Sequence, residues 1–180
     1  FCVGSFINVF PHASLWTTEL HEMLLVGSMD PLPLDARRIA DRYAAPAVAT
    51  ALAEVGVGSA AALLATWVTD RDGLARFAGA TPAVTDDRPA IEYAAWVRPR
   101  EILRTLPALL ALRTPAPLAG SDPALGQAIE RERDGLDLFY QSALAAYDGN
   151  REAWARNAGR LAAASRDNPY LRWFTGGAAE

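Results

Sequence analysis

The segment that decides the fold is VFPHASLWTTELHEMLLVGS, which spans residues 9–28. Two apolar runs, over 5–16 and 22–28, flank the polar corner TTEL at residues 17–20. Both runs are nearly continuous, which is typical of strands covered on both faces in an α/β sheet. The sequence therefore predicts a β-hairpin. Because a two-stranded hairpin is not stable alone in water, we expect the rest of its sheet to come from before Phe1 or from a partner.

Helical signals dominate after the hairpin. Polar residues that cap a helix, and prolines suited to its first turn, recur at intervals of 10 to 15 residues. The predicted helix starts are Asp35, Pro46, Ser59, and Asp70 or Asp72. We expect the helix capped by Ser59 to carry Leu63, Leu64, Trp67 and Val68 on its apolar side. A further apolar helix is predicted over 100–112, bent or restarted at Pro107.

Four segments follow from these patterns. They are the hairpin (1–28), a helical cover containing the turn TDDRP (29–113), a linker (114–123) and an αα-hairpin (124–175). The αα-hairpin is predicted because two helical stretches are separated by Asp148-Gly149-Asn150. Residues 139–172 resemble one tetratricopeptide-like repeat, but a solenoid needs at least three such units. We therefore expect a single capping or docking hairpin.

Composition excludes several function classes. The net charge is −4, and all 17 basic residues are scattered arginines, so nothing favours a nucleic-acid partner. The single cysteine, Cys2, cannot form an internal disulfide or a thiol–metal cluster, which is typical of a reducing compartment. The chain begins at Phe1 with no signal-peptide pattern, so we expect it to be the C-terminal piece of a longer protein.

Few residues carry recognisable chemistry. The stretch GVGSAA at 56–61 matches the dinucleotide fingerprint, but helical sequence precedes it where that motif needs a strand. His12 and His21 could approach each other across the hairpin, but their spacing fits no standard metal-ligand pattern. Asp86 and Asp87 lie in the turn TDDRP, where they either fix the turn or meet the ammonium groups of a polyamine. Trp16 lies at the hairpin corner, near the strand ends where open α/β sheets bind ligands.

The order of the motifs VFPHASLWTTELHEMLLVGS and TDDRPAIEY resembles the C-terminal part of spermidine synthase-like aminopropyltransferases, in particular the bacterial membrane-fused branch. The resemblance covers about residues 1–100. It implies an α/β fold in which residues 1–28 form the closing hairpin of a Rossmann-like, S-adenosyl-type transferase domain. It also implies that Trp16, at a position where better-studied members have Tyr, lines the diamine pocket. His12, Asp86 and Asp87 complete the expected substrate-binding set.

The resemblance further implies transfer of an aminopropyl group from decarboxylated S-adenosylmethionine to a diamine, without a metal. The nucleoside-binding loop and the catalytic acid of this family would lie before Phe1, so we assign this chain no cofactor and no catalytic residue. We expect a cytoplasmic location, and a position on the cytoplasmic side of the inner membrane if the parent protein is membrane-fused. The unpaired hairpin edges predict homo-oligomerisation or docking of the helical tail. Two alternatives stay open, a helical protein-interaction module and an S-adenosylmethionine-dependent methyltransferase.

Overall fold

The computed structural model describes residues 2–17, 22–81, 84, 99–120, 123–164 and 168–174, and it shows a mixed α/β protein with a small antiparallel sheet. A 3₁₀ turn at Pro99–Glu101 precedes the helix that begins at Ile102. In chain order, the helices and strands are α1 (Cys2–Val9), β1 (His12–Thr17), β2 (Met23–Ser28), β3 (Leu34–Asp35), α2 (Ala36–Tyr43), α3 (Pro46–Glu54), α4 (Ala60–Ala65), β4 (Trp67–Asp70), α5 (Arg71–Ala78), α6 (Ile102–Leu110), β5 (Leu118–Ala119), α7 (Pro123–Asp148), α8 (Arg151–Ala164) and α9 (Pro169–Phe174).

The chain divides into two compact units. Unit 1 comprises Phe1–Leu32 and Trp67–Ala116, and unit 2 comprises Pro33–Thr66 and Pro117–Glu180. Among the helices that the structure describes, none combines the length and the apolar character needed to cross a membrane.

Unit 1 is built on a three-stranded antiparallel sheet with the order β2–β1–β4. The predicted hairpin is confirmed, since β1 pairs with β2 from His12 opposite Ser28 to Thr17 opposite Met23. Along β1, Ala13, Leu15 and Thr17 are buried while the residues between them are not. The expectation that the strands are buried on both faces is therefore wrong for β1. The core cluster that contains Leu15 lies on one side, and the two-residue period of the strand places the less buried Ser14 and Trp16 on the other.

The first predicted strand is shorter than expected, because residues 2–9 form helix α1 and β1 begins only at His12. A short apolar run fits a buried strand or a helix equally well in sequence. Here Val3, Phe6 and Ile7 lie three and four positions apart, so one face of α1 packs on the core that contains Leu15. Pro11 follows the helix and supplies no backbone donor, so the helical hydrogen bonds cannot continue through it.

Strand β4 replaces the expected end of a helix. Ser59 caps α4 as predicted, its hydroxyl accepting from Ala62 N at 2.9 Å, but α4 ends at Ala65. Trp67 and Val68, expected on that helix, belong to β4 instead, and this strand supplies a partner for β1 within the chain. Aromatic and β-branched residues at 67–69 suit a pleated surface better than a helix. The register shifts beside Leu15, so that Val68 is the extra residue of a β-bulge.

Two glycines allow close packing in unit 1. A Cβ on Gly73 of α5 would lie 1.9 Å from the Thr69 hydroxyl oxygen of β4, so the helix can approach the strand only without a side chain there. A Cβ on Gly27 of β2 would lie 2.5 Å from the Phe10 ring and 2.7 Å from the Phe6 ring. The two phenylalanines pack together over that glycine, with ring centroids 4.7 Å apart.

Unit 2 is mainly helical, and its helix starts follow the sequence predictions. Asp35 caps α2 by accepting from Arg38 N at 2.8 Å, and Pro46 occupies the first turn of α3. β3 and β5 pair in parallel over two residues each. The expected linker at 114–123 therefore contains a short strand that joins the two chain segments of this unit.

The predicted αα-hairpin is confirmed in α7 and α8, which pack against each other on either side of Gly149. Gly149 has φ 76°, the left-handed conformation that glycine adopts without strain at a helix end. Phe139 of α7 makes ring contacts with Tyr140, Tyr170 and Phe174, so the hairpin and α9 share an aromatic cluster.

Candidate functional site

The candidate site is the outer face of the unit 1 sheet, opposite the core, with Trp16 at its centre. His12, Ser14 and Trp16 alternate with the buried residues of β1 and therefore lie on this outer face. Trp16 and Ser14 are half-buried, whereas His12 is exposed. Trp16 is thus not completely buried, and β4 flanks it on the side opposite β2.

Two contacts hold the Trp16 ring. Its Nε1 donates a hydrogen bond to Ser14 Oγ at 2.9 Å. On the β4 side, Trp67 packs at right angles to it, with ring centroids 5.2 Å apart. Such an edge-to-face pair is favourable beyond the burial of its surface, because the positive edge of one ring meets the negative face of the other.

Trp67 is itself fixed. It is 4 % exposed, and its Nε1 donates to Thr114 Oγ1 at 3.3 Å. Thr114 N in turn donates to Val68 O at 2.9 Å, which attaches the segment after α6 to strand β4. Trp67 is therefore the buried member of the tryptophan pair, held by Thr114 and by the Trp16 ring, and Trp16 is the partly exposed member.

On the β2 side, Leu24 lies directly opposite Trp16 and Val26 lies opposite Ser14. Leu24, the second residue of the edge strand β2, is 51 % exposed. Facing residues on paired strands have Cβ atoms about 4.5–5.5 Å apart, so these side chains form one surface with Trp16. We call the surface formed by Trp16, Leu24 and Val26 the aromatic platform.

The other predicted site residues do not gather around the platform. His12 shares the face of Trp16 but stands four residues away, about 13 Å along the strand. Asp86 and Asp87 lie outside the described residues, as does His21. The nearest described residue to the two aspartates is Val84, whose backbone exchanges two hydrogen bonds with the Ser5 hydroxyl of α1. Helix α1 packs on the core side of the sheet, opposite the platform.

The glycine loop at 56–58 connects α3 to α4. This confirms the prediction that a helix, and not the strand of a dinucleotide-binding motif, precedes the loop. Two of its carbonyl groups are occupied within unit 2. Asn168 Nδ2 donates to Gly56 O at 2.8 Å, and the Tyr43 hydroxyl donates to Val57 O at the same distance. The dinucleotide fingerprint needs a preceding strand and free backbone N–H groups, whereas here a helix precedes the loop and Gly56 N and Val57 N donate to Ala53 O and Leu52 O. Within the described ranges, no group of three or more His, Cys, Asp or Glu residues is placed to hold a metal ion.

Sequence reasoning missed Ser14, Leu24 and Trp67 as parts of this site. The helix predicted after Ser59 includes Trp67, although the run WVT at 67–69 followed by the cap Asp70 is a recognisable strand signal. The position of Leu24 opposite Trp16 depends on hairpin register, which the sequence alone did not define.

Comparison with known proteins adds no relative, since no protein-family model, curated protein or solved structure matches the chain.

Proposed function

We propose that this chain is the C-terminal part of a spermidine synthase-like aminopropyltransferase, and that the aromatic platform contacts its amine substrate. The observation that carries the proposal is the placement of Trp16. The hairpin forms where the resemblance requires it, and Trp16 is half-buried on its outer face instead of filling the core. In this proposal the hairpin closes a larger Rossmann-like sheet whose other strands belong to the parent protein.

The chemistry of the platform suits a diamine. A diamine carries positive ammonium groups at the ends of an apolar methylene chain. A tryptophan face attracts a cation within about 6 Å of the ring, and an exposed aliphatic side chain packs against methylene groups. Trp16 and Leu24 supply these two surfaces side by side. No charged residue belongs to the platform.

The proposal assigns only the amine side of the reaction to this chain. Decarboxylated S-adenosylmethionine would need a loop between a strand and a helix for its nucleoside. The glycine loop at 56–58 does not fit, because it lies between two helices and its Gly56 and Val57 N–H groups already donate to Ala53 O and Leu52 O. We therefore derive no step through that group from these residues. Asp86 and Asp87 remain candidates for the ammonium groups on the resemblance alone.

The test is a donor and acceptor screen on the natural gene product that carries this chain. Decarboxylated S-adenosylmethionine with putrescine is expected to give spermidine and methylthioadenosine. Replacing the donor with S-adenosylmethionine is expected to give no methylated product. Methyl transfer without aminopropyl transfer would overturn the proposal in favour of the methyltransferase alternative. A protein that turns over neither donor would contradict both enzyme readings.

A further inference from the structure

The position of the Trp16 ring is imposed by its neighbours. Ser14 and Trp16 are two residues apart on one strand, a separation of about 7 Å between their Cα atoms. A hydrogen bond of 2.9 Å between Trp16 Nε1 and Ser14 Oγ therefore requires the indole to lie along β1 toward Ser14. A ring that pointed straight out from the sheet could not make this bond.

Trp67 restricts the same ring from the other side. It is buried, its own N–H group is bound by Thr114, and it meets Trp16 at 90°. Rotation of Trp16 away from Ser14 would break both the hydrogen bond and the edge-to-face contact. The two contacts thus act together, because both favour the same rotamer of Trp16.

This arrangement also determines what Trp16 can offer a ligand. Indole has a single polar hydrogen, and Ser14 already accepts it. The accessible part of the ring therefore offers no hydrogen-bond donor. Such a surface favours ammonium and methylene groups over a carboxylate or phosphate, which would need an N–H group.

We propose that Ser14 and Trp67 are positioning residues that hold Trp16 in the orientation in which it meets the substrate amine. The inference rests on the proposed function for the identity of the amine. The fixed orientation itself rests only on the contacts among the three side chains.

The experiment compares Ser14→Ala and Ser14→Thr in the natural gene product, with Ser28→Ala as the control. Threonine keeps the hydroxyl and suits a strand, while Ser28 belongs to the same sheet but contacts Asp30 N instead of Trp16. The first readout is the near-ultraviolet circular dichroism couplet of the Trp16–Trp67 pair. The second is the KM for putrescine, measured separately from kcat.

Ser14→Ala is expected to weaken the couplet and to raise KM about 2- to 12-fold at nearly constant kcat, the range expected for one net hydrogen bond. Ser14→Thr is expected to retain both values, and Ser28→Ala to change neither. An unchanged couplet in Ser14→Ala would overturn the fixed orientation whether or not the protein uses putrescine. A weakened couplet with unchanged KM would overturn the positioning role. If the unsubstituted protein shows no turnover, the proposed function is refuted, and the couplet alone then tests whether Ser14 fixes the orientation of Trp16.

Discussion

Gly73→Ala is expected to destabilise the protein, although alanine is the better helix former. The added Cβ would lie 1.9 Å from Thr69 Oγ1 and 2.8 Å from both Thr69 Cβ and Cγ2. Thr69 is fully buried on β4, so it cannot move aside without shifting the strand. Overpacking of this kind costs about 1–3 kcal/mol, and the helix propensity of alanine offsets about 1 kcal/mol of it. We expect a net loss of up to about 2 kcal/mol.

The assay is thermal unfolding followed by circular dichroism. For a chain of this size, that loss corresponds to a decrease in Tm of up to about 8 °C. Gly135→Ala in α7 is the matched control, because nothing lies within 4 Å of its added Cβ. The control is expected to raise stability by up to about 1 kcal/mol. Adding Thr69→Ala to Gly73→Ala should recover part of the loss. If Gly73→Ala is as stable as Gly135→Ala, the close approach of α5 to β4 is wrong.

Two further substitutions test contacts that organise each unit. Asp70→Ala removes the acceptor for two backbone N–H groups at the start of α5, so it should lower the free energy of unfolding in denaturant by about 1 kcal/mol. Asp72→Ala in the same turn should lower it clearly less, and equal effects would contradict the assigned cap. Asn168→Ala removes the cap of α9 and the hydrogen bond to Gly56 O, so amide hydrogen exchange in α9 should accelerate by about tenfold, and Asn157→Ala in α8 should leave it unchanged. Unaltered exchange in the first variant would show that Asn168 does not anchor α9.

Local signals made the helical part of the fold predictable. Asp35, Ser59 and Asp70 each accept a hydrogen bond from a backbone N–H group in the first turn that follows them. Such caps depend on residues within three positions, so the sequence alone contains the information. The turn at Gly149 is local in the same sense.

Non-local packing explains what the sequence did not reveal. Residues 2–9 are apolar enough for a strand, and only their packing against Leu15 and Leu74 makes the helix the better solution. Trp67 pairs with Trp16 across 51 residues of sequence, so its place in a strand depends on a partner far away in the chain. The same limit applies to predicting the candidate site from the sequence. Trp16 could be selected from its position in the hairpin, but the hydroxyl and the second ring that orient it could not.

The most direct test of the central claim is the KM for putrescine in Trp16→Ala, measured in the natural gene product beside Trp154→Ala. Trp154 is also partly exposed, at 38 %, but lies on α8. Loss of a cation–π contact predicts a KM about 2- to 30-fold higher for Trp16→Ala, while loss of the hydrogen bond to Ser14 and the contact with Trp67 lowers Tm without preventing folding. Trp154→Ala should leave KM unchanged. A large decrease in Tm with an unchanged KM in Trp16→Ala would show that Trp16 only packs the sheet, and it would contradict the account.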